Sequence, residues 1–107
     1  MKVATYWAKI YVGVGPRGFR NPSTWINTCQ DYVDSVGLCV TVTRTEYVYT
    51  KGIEDGIIVG LINYPRFPST YDKIRKHALK LARLLKKKLK QKRVSIEFPD
   101  ETIMLGK

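Results

Sequence analysis

Basic residues recur at intervals of three and four positions along residues 73–90, and this spacing places them on one face of an α-helix. A row of ammonium and guanidinium groups without acidic neighbours attracts phosphate-rich ligands, through its electric field and through charge-assisted hydrogen bonds. We therefore expect this row to bind an anionic partner. Its members are Lys73, Lys76, Lys80, Arg83, Lys87 and Lys90.

The surplus charge of the chain is concentrated in the same segment. The net charge is +10, and residues 70–93, with eleven cations and the single acid Asp72, account for all of it. Such asymmetry favours a nucleic acid, an anionic nucleotide, an anionic membrane surface or an acidic protein as the partner. The plainer alternative is a solvated helix face, although solvated faces usually mix charges of both signs.

Three further arginines are candidates for shorter phosphate contacts. Arg17 and Arg20 lie in or beside a glycine-rich loop, Gly13–Gly18, which spells G-x-G-x-x-G between a predicted strand and a predicted helix. Pro16 interrupts the motif, and the chain lacks the alternating units of a doubly wound sheet, which disfavours a dinucleotide site. The loop amides can still hold a phosphate, and a purely structural turn is the alternative. Arg66 stands between two prolines in a rigid connector.

Residues suited to catalysis are sparse. His77 is the single histidine, and no cysteine or serine stands near it at a useful spacing. Glu46, Glu54 and Asp55 form an acid–base set only if the fold brings them together. We predict no catalytic residue, no metal site and no cofactor, and we favour a binding protein over an enzyme.

Aromatic side chains alternate along one predicted strand. Tyr47 and Tyr49 point to the same face of that strand. If the face is open to solvent, the two rings can stack on bases, as they do in sheet-based RNA-binding domains. Core packing or a dimer interface is the alternative role.

The hydrophobic pattern predicts an α+β fold of the ferredoxin-like type. The element order is β-α-β-β-α-β, in which an antiparallel sheet carries two helices on one face. A short C-terminal edge strand can follow. The predicted strands cover residues 2–14, 38–50, 57–64, 94–98 and 102–105, and the predicted helices cover residues 22–36 and 69–92.

The helix ends carry recognisable signals, and so does the turn between the two middle strands. Asn21 or Ser23 is expected to cap the first helix, and Gly37 is expected to end it. Ser69, with Asp72 three residues later, resembles the capping box of the second helix. Residues 51–56 contain two glycines and two acids and are expected to form the turn.

The chain length and composition fit one domain over residues 1–107, since 107 residues with 44% apolar content can bury a modest core. No apolar run approaches the roughly 20 residues that a membrane helix needs. No secretory signal is visible. A cytoplasmic location is the default expectation.

Three segments together resemble small phage-encoded accessory proteins with a ferredoxin-like outline: residues 9–15, 47–54 and 56–62. The resemblance implies a phage or mobile-element protein that works in the host cytoplasm. It also implies a counter-defence role, exercised by stoichiometric binding of a host protein or of a nucleotide signal.

Three functions remain open from the sequence. The first is non-enzymatic binding of nucleic acid or a nucleotide signal through the basic helix. The second is an inhibitor that docks on an acidic surface of a host enzyme. The third is an enzyme that acts on phosphodiesters. A homodimer is a further possibility, because a sheet of this kind can leave a face or an edge uncovered.

Overall fold

The computed structural model describes residues 1–106 and contains a five-stranded antiparallel sheet with two helices on one face. The strand order is β2-β3-β1-β4-β5, so the predicted ferredoxin-like fold and its extra edge strand are confirmed. No helix within residues 1–106 is long and apolar enough to cross a membrane. The elements are β1 (Trp7–Gly13), α1 (Ser23–Val36), β2 (Thr41–Tyr49), β3 (Gly52–Ile62), α2 (Tyr71–Lys88), β4 (Arg93–Glu97) and β5 (Thr102–Gly106).

The core lies between α2, α1 and the helix-side face of the sheet. Alternation along β1, β3 and β4 sends every second side chain inward, and the apolar stripe of α2 closes over them. The inward strand residues are Ala8, Ile10, Val12, Ile57, Val59, Leu61, Val94 and Ile96, and the buried stripe of α2 is Ile74, Ala78, Leu81, Ala82 and Leu85. Helix α1 adds Trp25, Cys29 and Tyr32.

The turn between β2 and β3 is much shorter than predicted. It consists of Thr50 and Lys51, and Lys51 adopts a left-handed backbone with φ 62°. Strand β3 therefore begins at Gly52, and the prediction that residues 51–56 form a turn is wrong. Glycines and acids indicate a turn by composition, but here they pair with β2 in regular register. As a result Glu54 and Asp55 lie on a strand, at fixed positions opposite β2.

Helix α2 starts one residue later than its capping pattern predicts. Thr70 is the N-cap, and its Oγ1 accepts a hydrogen bond from the N–H of Lys73 at 3.2 Å. The predicted cap, Ser69, belongs instead to the connector, where its N–H donates to Asn63 Oδ1 at 2.8 Å. Two adjacent hydroxyl residues both satisfy a capping pattern, and the contact with buried Asn63 decides between them.

The same helix ends at Lys88 rather than near residue 92. Lys90 adopts the left-handed conformation, with φ 54°. The N–H of Gln91 bonds to the carbonyl of Lys86 at 2.9 Å, and that of Lys90 to the carbonyl of Lys87 at 3.2 Å. These two bonds define a Schellman ending. Glycine is the usual residue at its left-handed position, and without one the ending was not predictable.

Helix α1 has one end as predicted and one that differs. Gly37 ends it in the left-handed conformation, with φ 70°, and its N–H bonds to the carbonyl of Val33 at 2.9 Å. At the other end Pro22 occupies the cap position and no side chain caps the helix. The prediction of Asn21 or Ser23 as the cap is therefore wrong.

The cap assignment gives a direct test by mutation. Thr70→Ala should lower the free energy of unfolding by about 1 kcal/mol, because it removes the acceptor for one orphan N–H. Ser69→Ala should cost clearly less, since the Ser69 bond to Asn63 uses the backbone N–H. Urea denaturation measures both changes, with an unchanged m-value as the check on two-state unfolding. A larger cost for Ser69→Ala would contradict the assignment.

Candidate functional site

The sheet face directed away from the helices, here called the open face, carries polar and aromatic side chains. Directly opposite residues in an antiparallel pair point to the same face, so the register identifies its members. Apart from glycines, they are Trp7, Lys9 and Tyr11 on β1, Thr41, Thr43, Thr45, Tyr47 and Tyr49 on β2, Glu54, Ile58 and Ile62 on β3, Arg93, Ser95 and Glu97 on β4, and Thr102 and Met104 on β5.

Tyr47 is fixed on the open face by its own hydroxyl. The hydroxyl donates to the carbonyl of Ile57 at 2.8 Å and lies 3.3 Å from the carbonyl of Val12, so the ring lies along β3 and reaches β1. Gly56 makes this possible, because a Cβ there would overlap the tyrosine ring. Glu54 is the residue directly opposite Tyr47. An aromatic ring and a carboxylate therefore lie side by side.

Three further side chains lie near Tyr47 and Glu54: the amide of Gln91, the phenol of Tyr11 and the carboxylate of Glu97. Glu54 Oε2 and Gln91 Oε1 converge above Gly13, at 3.5 and 2.8 Å from the position that a Cβ would occupy there. On the neighbouring strands the hydroxyl of Tyr11 donates to Glu97 Oε1 at 2.7 Å. We name this set the tyrosine–carboxylate cluster: Tyr11, Tyr47, Glu54, Gln91 and Glu97.

The two phenols of the cluster are uncharged at neutral pH. Burial, together with the nearby charge of Glu54, raises the pKa of Tyr47 to about 12. The hydrogen bond to Glu97, with burial, raises the pKa of Tyr11 above its ordinary value. The cluster thus presents uncharged aromatic rings beside two acidic side chains, a combination that suits an organic cation.

A small pocket adjoins the cluster at the end of the sheet. Its volume is about 290 Å³, at the lower end of small-molecule sites. Glu54 lines it with Asp55 and Glu46, which oppose each other across β3 and β2. Gly15 and Pro16 of the glycine-rich loop also line it. Glu54 belongs to the open face and Asp55 and Glu46 to the helix-side face, so the three acidic residues border the pocket from both faces of the sheet. This concentration of acidic residues, here called the acidic pocket, suits a positively charged group. No group of three His, Cys, Asp or Glu side chains within residues 1–106 is arranged to hold a metal ion.

The predicted cationic row lies exposed along α2, except that Lys90 follows the end of the helix and is not on its predicted helical face. We call it the basic band: Lys73, Lys76, Lys80, Arg83, Lys87 and Lys90. No carboxylate of residues 1–106 lies within ion-pair distance of these six side chains. The ion pairs found in that range join Arg75 to Asp100 and to Glu101, each at 3.3 Å. The charge of the band is therefore uncompensated within the described chain.

The C-terminal end of the band forms a cleft of about 510 Å³, here called the basic cleft. Four cations line it, of which Lys86 is half-buried, and Gln91 and the end of β5 complete it. Its lining residues are Arg83, Lys86, Lys87, Lys90, Gln91, Leu105 and Gly106.

The sequence-predicted ligand residues fall in separate places. Arg83, Lys87 and Lys90 meet in the basic cleft, while Lys76 and Lys80 lie nearer the start of α2. Arg17 and Arg20 are exposed in the loop that follows β1. Arg66 is exposed in the connector that precedes α2, and the 18 residues of that helix separate it from the cleft by about 27 Å.

His77 has a structural role between the helices. Its Nδ1 lies 2.8 Å from the hydroxyl of Tyr32 on α1, and the two rings meet edge to face. Burial, and then the charges of Lys80 and Lys73, lowers the pKa of His77. The imidazole is therefore neutral at pH 7 and joins α1 to α2.

Sequence reasoning missed two contributors and gave little weight to a third. Lys86 and Gln91 reach the basic cleft because α2 stops at a Schellman ending, for which no glycine gives a signal. Glu54 is recognisable as an acid in the sequence, but its predicted place is in a turn. A two-residue turn at Thr50 and Lys51 pairs Glu54 directly with Tyr47. Had the sequence analysis placed the turn there, it would have found the two side chains on one face.

The role of Gly56 in seating Tyr47 can be tested by adding one methyl group. Gly56→Ala should displace the ring and cost about 1–3 kcal/mol of unfolding free energy, as overpacking does. Gly60→Ala is the matched control on the same strand and face. Its Cβ would meet only the Thr41 side chain, whose hydroxyl can rotate away, so its cost should be smaller. Equal losses of unfolding free energy for the two variants in urea denaturation would contradict the role of Gly56 in making room for the Tyr47 ring.

Comparisons with known proteins agree on the fold. No protein-family model matches the chain, and no curated protein matches its sequence. A phage SAM lyase in complex with S-methyl-5′-thioadenosine is similar in structure, with a TM-score of 0.72, 13% identity, and coverage of 100% of this chain and 95% of that chain. The apo state of a phage SAM lyase is also similar, with a TM-score of 0.70, 15% identity, and coverage of 95% and 89%. The chain therefore shares its fold with phage proteins, consistent with the resemblance drawn from its sequence.

Proposed function

We propose that the chain binds S-adenosylmethionine, or a closely related sulfonium nucleoside, at the tyrosine–carboxylate cluster and the acidic pocket, and that it releases S-methyl-5′-thioadenosine. The observation that carries the proposal is the placement of Tyr47 against Glu54 beside a pocket that three acidic residues line. The full-length likeness to phage SAM lyase supports it. A fold alone assigns no function, so these side chains must themselves suit that substrate.

The charges of the substrate complement those of the site. S-adenosylmethionine carries a positive sulfonium and a positive ammonium group, and Glu54 and the acidic pocket supply negative charge for both. The ring of Tyr47 offers a face for adenine stacking or for contact with the sulfonium. S-methyl-5′-thioadenosine has neither positive charge and keeps only the stacking interaction, which favours its release.

The bond change requires little chemistry from the protein. The carbon–sulfur bond of the methionine chain breaks, and its electron pair stays on sulfur as a neutral thioether. The substrate's own carboxylate closes on the carbon that sulfur leaves, which gives a lactone and conserves every atom. Because the sulfonium charge disappears along this path, a carboxylate beside sulfur stabilises the bound substrate more than the transition state. The rate gain therefore comes from folding the methionine chain toward ring closure.

This chemistry predicts a specific effect of neutralising Glu54. Incubation of the protein with S-adenosylmethionine should release S-methyl-5′-thioadenosine and homoserine lactone, both measurable by mass spectrometry. Glu54→Gln should weaken S-adenosylmethionine binding by at least about tenfold, because the variant no longer places a negative charge close to the cationic substrate. It should change binding of the neutral product by less than about threefold.

The control for this experiment is Asp34→Asn, an isosteric change of an exposed acid on α1 whose carboxylate accepts from Gln30. It should alter neither affinity nor product release. Absence of both binding and turnover in the unmodified protein would overturn the proposal. An unsaturated amino acid in place of the lactone would instead assign proton abstraction to a base in the cluster.

As a second candidate function we propose binding of nucleic acid along the basic band, without catalysis. The uncompensated exposure of the six cations favours it. Counterion release from a phosphate backbone would drive such binding.

An inhibitor that docks an acidic protein surface is supported less well. Such an inhibitor should have an exposed apolar patch beside the basic band, but the most exposed apolar side chains of the strands lie elsewhere. Val48 and Ile53, 77% and 61% exposed, are at the β2–β3 hairpin end.

Salt dependence tests the second candidate. The affinity for a short DNA duplex should fall steeply with salt, and Lys76→Gln with Lys80→Gln should reduce the slope of log K against log salt by about 1.8, at about 0.9 for each phosphate that is no longer neutralised. Fluorescence anisotropy of a labelled duplex measures it. Lys2→Gln with Lys51→Gln removes the same charge away from the band and should leave the slope nearly unchanged. A flat salt response in the unmodified protein would exclude polynucleotide binding.

Either function would suit the counter-defence role that the phage resemblance implies. The first would remove a methyl donor from the host, and the second would cover or sequester nucleic acid. The cytoplasmic location and the possible homodimer remain predictions from the sequence.

A further inference from the structure

We infer that the basic cleft is a discrete site for a compact, multiply charged phosphate group of the pyrophosphate or polyphosphate type. The inference is independent of the proposed S-adenosylmethionine chemistry, which requires a site of opposite charge. The tyrosine–carboxylate cluster and the basic cleft share only Gln91. It also differs from binding along the whole band, because it concerns one open cleft at the end of α2.

The arrangement of the cations points to one ligand rather than to a solvated surface. Arg83, Lys86 and Lys87 are spaced at i, i+3 and i+4, so they lie on one side of the last helical turns. Lys90, two residues beyond the helix, lines the same cleft. Like charges at these spacings repel each other. An anion with three or four charges, held between them, would relieve that repulsion.

The backbone of Lys90 provides an observation independent of the charge. Its φ of 54° is a left-handed conformation, uncommon for a residue with a Cβ, and glycine is the residue usually found at this position of a Schellman ending. Unfavourable backbone conformations of this kind concentrate at functional sites. Here the lysine keeps a fourth cation in the cleft at a position where glycine would end the helix more favourably.

The uncharged groups around the cleft are also compatible with a bound anion. The N–H groups of Gln91 and Lys90 occupy carbonyls of the last helical turn, so these carbonyls are already hydrogen-bonded and oppose an anion less. Gly106, with φ 92°, brings the end of β5 close to Lys86: a Cβ at Gly106 would lie 3.0 Å from Lys86 Cε. The volume of about 510 Å³ is within the range of small-ligand sites.

Lys90→Gly is the decisive variant because it removes the cation while relieving the backbone. Isothermal titration with inorganic pyrophosphate, at constant ionic strength, should give binding for the unmodified protein and an affinity at least about tenfold lower for Lys90→Gly. Its melting temperature without ligand should be equal or higher, since glycine suits the left-handed position. A saturating concentration of pyrophosphate should raise the melting temperature of the unmodified protein by several degrees more than that of the variant.

Lys51→Gly is a matched control. Lys51 is the other non-glycine residue of residues 1–106 with a left-handed backbone, φ 62°, and it lies in the β2–β3 turn outside the cleft. The change removes one charge and relieves one backbone strain, so it should keep pyrophosphate affinity within about twofold. Equal loss in both variants, unchanged binding in Lys90→Gly, or binding of DNA but not of pyrophosphate by the unmodified protein would overturn the inference.

Discussion

Burial of the apolar stripe of α2 against the sheet is the interaction on which the other features depend. The helix carries like charges at i+3 and i+4 spacings, and each such pair opposes helix formation by a few tenths of a kcal/mol. Burial of one leucine or isoleucine side chain stabilises the folded state by about 2 kcal/mol. Ile74, Leu81 and Leu85 are all at most 2% exposed. The sheet therefore holds a segment in helical form that would be marginal in isolation, and the same packing fixes where its cations point.

The fold was predictable because it depends on periodicity, which is visible in one sequence. Alternation in the strands and the stripe of α2 specified the element order, and Gly37 specified one helix end. The sites were less predictable, because they depend on the ends of elements. Two residues in left-handed backbone, Lys51 and Lys90, shorten a turn and stop a helix without a glycine to signal either. The first places Glu54 beside Tyr47, and the second creates the basic cleft.

Two sites of opposite charge thus lie at the same end of the sheet. Gln91 belongs to both, since its side chain reaches Gly13 beside Glu54 and also lines the basic cleft. Its Nε2 donates to the carbonyl of Leu89 at 3.0 Å, which ties the side chain to the end of α2. A single amide therefore separates a region suited to cations from one suited to phosphates, and its position follows directly from where the helix stops.

The separation of charge between the two layers has a consequence for how the molecule meets its surroundings. The helix layer holds the surplus of positive charge, while on the open face Glu54 and Glu97 are balanced by Lys9 and Arg93. The protein is consequently an electric dipole whose axis runs roughly across its layers. Near a polyanion it would rotate before contact so that α2 leads. The open face would then point toward bulk water, where small solutes can still enter and leave.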